Sequence, residues 1–277
     1  MVVPWNETES LSFTARFEEG DEECAERTLD QLEDLRLRLE DRFEKAPGGV
    51  TVILHPSSGW LSAAHPFLPA ARLAAAPAGR RYLAGWATRT ELHTLNDAAL
   101  ERRAGGPDSL RALLGTSERL YAQLVLAANN PRIPPPWGPR PFARYLRWAW
   151  LVEGGAQYYA GQYSSFRPAV LRRLNEGRSP SFPPSARDAI ILGGSIFDLL
   201  DREVGRHACD LLVNRLPKSG PVTALETAFG ARMREIEPIW MDHVQELATG
   251  GPSAPEDGLG AIAEVPALRR SAPRSRL

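Results

Sequence analysis

Hydrophobic periodicity changes once along this chain, near Pro107, and that change limits the folds open to it. Before it, short alternating or β-branched runs are separated by helical patterns. Residues 11–17 alternate apolar and polar side chains, as a half-buried strand does. Asp21 is placed to cap a long helix over residues 21–45, whose apolar stripe runs Ala25, Leu29, Leu32, Leu35, Leu39 and Phe43. Gly48 and Gly49 end it, and residues 50–54 (VTVIL) read as an interior strand. A brief helix over 57–64 and strands over 82–87 and 88–95 complete a β-α-β-(α)-β-β order.

After Pro107 the pattern is helical throughout. Helices are predicted over residues 108–128, 142–161, 166–175, 186–204, 207–215, 222–229 and 231–248. The proline-rich run 129–141 (NNPRIPPPWGPRP) cannot be helical inside. The expected class is α+β: a small N-terminal mixed β-sheet with helices, then a mainly α-helical C-terminal part. The expected divisions are an N-terminal arm (1–9), an α/β subdomain (10–106), a helical subdomain (107–248) and a disordered tail (249–277), the last rich in Gly, Pro, Ser, Ala and Arg.

The 277 residues suffice for a sizeable core, and a formal net charge of −1 gives no bulk attraction to nucleic acid, which is not expected as a partner. Cys24 and Cys209 form no CxxC pair, so a zinc-finger framework is excluded and a reduced cytoplasmic setting is the simple reading; a disulfide between them stays open. No signal-peptide pattern opens the chain, and no apolar run approaches the roughly 20 residues of a membrane span.

Two helices carry the residues of chemical interest. In the first, Ser117 and Tyr121 are four apart and stack on one face, with Glu118 beside them. In the second, Glu153 lies within an apolar stretch (residues 148–152, WAWLV), where a carboxylate is costly without a bonded partner. Its expected partners are Tyr121 and an arginine, Arg119 or Arg147. Gly154, Gly155 and Ala156 beside it leave room for another helix to approach closely.

The ordered series of segments resembles the gluzincin-type zinc peptidases, the peptidase MA-like family. The matching pieces are residues 13–20 (FTARFEEG), 50–54, 85–92, 150–159 (WLVEGGAQYY) and 199–205 (LLDREVG), and the likeness spans roughly residues 10–248. It implies a zincin-like fold in which Ser-Glu-Arg-Leu-Tyr (117–121) stands where the family has His-Glu-x-x-His. Glu118 then matches the general base and Glu153 the third zinc ligand, while Ser117 and Tyr121 occupy the two histidine positions without matching them. Zinc bound by two imidazoles and a carboxylate needs those histidines. The resemblance therefore implies a pseudopeptidase without a bound cofactor, with a binding or scaffolding role toward an unknown peptide or protein ligand. The alternative is a metal-dependent hydrolase with non-standard ligands, either oxygen donors or one histidine from elsewhere such as His93, in which case zinc is the cofactor.

The remaining candidates read as ordinary structure. No two of His55, His65, His93, His207 and His243 are four residues apart. Gly193-Gly194-Ser195 lacks the strand and lysine of a phosphate loop and the flanking pattern of a nucleophile elbow.

Overall fold

The computed structural model describes residues 5–65, 67–133, 139–215 and 220–250. It begins with strands β1 (Asn6–Glu9) and β2 (Phe13–Phe17), helix α1 (Glu22–Glu40) and strand β3 (Val50–His55). Helices α2 (Ser58–Ala64) and α3 (Phe67–Ala74) follow, then strands β4 (Gly85–Ala87) and β5 (Glu91–Leu95). The rest is helical: α4 (Asp97–Arg103), α5 (Pro107–Leu114), α6 (Thr116–Asn129), α7 (Pro139–Tyr159), α8 (Arg167–Leu174), α9 (Ala189–Glu203), α10 (Arg206–Asn214), α11 (Pro221–Phe229) and α12 (Met233–Thr249). The α+β class, a small mixed sheet followed by helices, is as the periodicity implied.

The five strands form one sheet in the order β1-β2-β3-β5-β4. β2, β3 and β5 are parallel, and the edges β1 and β4 are antiparallel to their neighbours. The β2-α1-β3 crossover explains the parallel centre, since parallel neighbours need a helix-length connection. Residues 6–9 are thus an edge strand rather than a free arm. Of the tail expected over 249–277, Thr249 closes α12, and residues 251–277 lie outside the described residues.

The sheet has two covered faces. On one, Phe13 meets Tyr121 of α6 edge-on with ring centroids 5.0 Å apart, and Ala15, Val52 and Leu92 are fully buried. A Cβ on Gly85 of β4 would run into Thr116 and Leu120, so α6 lies directly against that strand. Trp86 and its cross-strand partner His93 point to the opposite face, because side chains alternate along a strand.

Several boundaries differ from the sequence reading. α1 ends at Glu40, and Asp21, at its N-cap position, makes no capping bond; its carboxylate accepts from Asn96 Nδ2 instead (2.8 Å). The helix expected over 108–128 is two, broken at Gly115. There the Gln162 amide donates to Gly115 O (2.6 Å) and fills the space a Cβ would need. At the centre of the helical part, α7 and α9 cross at contact distance: a Cβ on Gly193 would lie 2.6 Å from Trp150 O. The small residues near Glu153 do permit the close helix approach anticipated for them.

Candidate functional site

Glu153 is the most unusual side chain in the helical core. It is 3% exposed and Arg119, facing it from α6, is 2% exposed. Arg119 Nη1 donates to Glu153 Oε2 at 2.6 Å, and Nη2 donates to Tyr82 O at 3.2 Å. The second carboxylate oxygen accepts from the Tyr145 hydroxyl at 2.7 Å. Tyr145 and Glu153 share α7, where eight residues of straight helix would part their Cα atoms by roughly 12 Å. Trp148, with non-helical φ −113° and ψ 15°, kinks the helix between them. Burial, then the adjacent Glu153 charge, pushes the Tyr145 phenol well above its ordinary pKa and keeps it a donor.

Each carboxylate oxygen of Glu153 thus accepts a bond from within the protein. A guanidinium neutralises it at hydrogen-bond distance, and a charged bond of this type is short and strong. A carboxylate so occupied does not fit zinc, and no imidazole stands beside it. Among the described residues, no group of three or more His, Cys, Asp or Glu is arranged to hold a metal ion.

The other residues singled out in the sequence go elsewhere. Tyr121 is not the partner of Glu153: its hydroxyl donates to Pro47 O (2.9 Å) and its ring lies against Phe13. Helical geometry explains this, since two residues along a helix rotate a side chain by about 200°. Arg119 facing α7 therefore sends Ser117 and Tyr121 toward the other side. Ser117 is buried, and Glu118 has no partner in common with Glu153. The Glu118 carboxyl takes a long bond from Gln162 Nε2 (3.4 Å), and burial raises its pKa to about 7, offset in part by Arg38. The convergence of Glu118, Tyr121 and Glu153 on one spot is not found. Gln123, four residues after Arg119 and on its face, is 4% exposed with its Nε2 unpartnered. Among the described residues, Arg119 of α6 is joined directly to Glu153 of α7, which Tyr145 of α7 also bonds.

Three histidines meet on the far face of the sheet. His55 Nε2 and His93 Nδ1 are 3.0 Å apart, His93 Nε2 is 3.3 Å from Glu91 Oε2, and the His65 ring packs edge-on against His93 with centroids 4.0 Å apart. Burial first, and the neighbouring imidazoles second, depress each pKa to about 4. His93 faces away from the α6–α7 pair, so it does not supply a ligand there. Sequence spacing hid this cluster, because only the β3–β5 register, Ile53 opposite His93, brings the rings together.

Other polar groups are structural. Ser195 Oγ bonds Leu192 O and receives Trp240 Nε1 (2.7 Å), and Arg173 holds Asp188 through two bonds of 2.6 and 2.9 Å. Cys24 and Cys209 are both free and buried. No helix among the described residues is long and apolar enough to cross a membrane. Comparison with protein-family models, with curated proteins and with solved structures gives no match.

Proposed function

We propose that this chain is a zincin-like pseudopeptidase, in which a buried arginine has taken the place of the metal and the role left to it is binding or scaffolding. The observation that carries the reading is the Arg119–Glu153 pair. A carboxylate on the helix after the supposed motif helix faces, at 2.6 Å, a cation built into the protein. All five strands come before α6 and α7 in the chain, and a strand-rich part ahead of the motif helix is what the resemblance implies. The resemblance needs one adjustment of register. The pair four apart that faces α7 is Arg119 and Gln123, not Ser117 and Tyr121. Glu118 then has no place as a general base, and its partners support none.

With Glu153 bonded to Arg119 and Tyr145, this reading assigns the binding role to another surface of the chain. Grafting tests the reading. In the Arg119→His/Gln123→His variant, Glu153 and two imidazoles at i, i+4 spacing should bind zinc, and Glu153→Gln should abolish it. The Ser117→His/Tyr121→His variant should bind none. Zinc binding by the second variant and not the first, both folded, refutes the assignment.

A further inference from the structure

Residues 80–83 lie between α3 and β4, and three guanidiniums hold their four carbonyls. Arg103 donates from Nε to Arg81 O and from Nη2 to Arg80 O. Arg119 reaches Tyr82 O, and Arg72 Nε donates to Leu83 O at 3.0 Å. Arg119 has the Glu153 carboxylate to balance its charge. Arg72 and Arg103 have no such counterpart: no ion pair among the described residues involves either. Between Lys45 and Glu91 the chain contains no acidic residue.

The same two side chains also bridge to α2. Arg103 Nη1 donates to Ser58 Oγ at 3.2 Å and Arg72 Nη1 to Ser62 Oγ at 3.0 Å. Ser58 and Ser62 are neighbours one turn apart on that helix, so both guanidiniums occupy the seam between α2 and residues 80–83. Their charges act on one another: burial first, and the Arg103 charge second, lower the Arg72 pKa to about 10. Both side chains are half-buried, and Arg72 Nη2 is buried with no hydrogen-bond partner. The exposed Arg102 adds a further cation at the start of α2, where it donates to Pro56 O.

Like charges held side by side, one with unused donors inside the protein, are a cost that an anion between them removes. We infer that Arg72 and Arg103, with the Ser58 hydroxyl, bind a phosphate oxyanion, either free phosphate or the phosphoryl group of a small phosphomonoester. A carboxylate has one edge of two oxygens and is satisfied by a single guanidinium fork, whereas a tetrahedral oxyanion presents edges to both guanidiniums at once. The site goes beyond the Glu153 reading and does not depend on it.

Titration calorimetry of the full chain with inorganic phosphate and with glycerol phosphate, each against sodium chloride at equal ionic strength, tests this. At least one phosphate probe should bind saturably and chloride should not. Arg72→Gln should weaken binding on the order of tenfold or more, since a hydrogen bond to a charged group is lost. Arg72→Lys, which keeps the charge without the fork, should weaken it less. Because both arginines also hold backbone carbonyls, the side-chain Nε–H resonances of the wild type give a readout that needs no variant: phosphate should shift those of Arg72 and Arg103, and chloride neither. Tighter binding of the ester than of inorganic phosphate supports a phosphomonoester as the source, and the reverse order supports free phosphate. Failure of both probes to bind, equal binding of chloride, or both resonances unmoved at saturation overturns the inference. Zinc binding reads the Glu153 proposal separately, and none of these outcomes bears on it.

Discussion

Replacing Arg119 by methionine strands the Glu153 carboxylate in the core. The two side chains are 2% and 4% exposed, so little water is available to take over from the guanidinium. Removing one member of such a pair costs about 3–5 kcal/mol, because a buried charge is left uncompensated. Methionine preserves most of the arginine stem, so the packing loss is small beside this. The Tyr82 carbonyl also loses a donor, roughly 1 kcal/mol more. Glu153→Leu strands the guanidinium and the Tyr145 hydroxyl at similar cost. In the double variant no charge remains, and a well-packed apolar replacement of an ion pair is often near neutral. The double variant should therefore be more stable than either single one, with a coupling energy of about 3 kcal/mol or more. Urea unfolding of the four proteins at neutral pH measures it. Single losses that add to the double loss within about 0.5 kcal/mol would refute the pairing.

Two further predictions concern pH. His55, His65 and His93 have folded pKa values near 4 against 6.5, so between these limits the unfolded chain binds more protons and stability rises with pH. Their contribution is present above pH 6.5 and lost as pH falls toward 4, by up to about 3 kcal/mol for one ring and less than three times that for the set, since each feels a neighbour's charge. His65→Phe should flatten this slope in urea titrations; an unchanged slope would contradict the cluster. Glu118 has the opposite sign: with its folded pKa near 7 against 4.5, stability falls as pH rises through that window. Glu118→Gln should gain on the order of 2 kcal/mol at pH 8 and nothing at pH 4; loss of stability at pH 8 would show a needed carboxylate.

How much was legible in the sequence follows from what each element depends on. α1, β3 and α2 carry their own periodicity, although α1 stops at Glu40, short of the glycines expected to end it. β1 (NETE) is polar on both faces, as an edge strand permits, and leaves no alternation to read. The break between α5 and α6 falls at Gly115, the one glycine in residues 108–128, whose carbonyl is bonded by Gln162, 47 residues away. Glu153 stood out because a carboxylate amid tryptophans needs a partner, and Arg119 was one of two arginines named for it. Tyr145 reaches Glu153 only through the kink at Trp148, which spacing does not show, so the sequence points to Tyr121 instead. Spacing alone fixed that Ser117 and Tyr121 share a face; it could not fix which neighbour the face meets.

The most direct measurement is a calorimetric zinc titration of the exhaustively dialysed wild-type protein beside Glu153→Gln. With Arg119 holding the carboxylate, no stoichiometric uptake is predicted for either. One zinc per chain in the wild type, lost in Glu153→Gln, would contradict the claim that arginine stands where the metal would be.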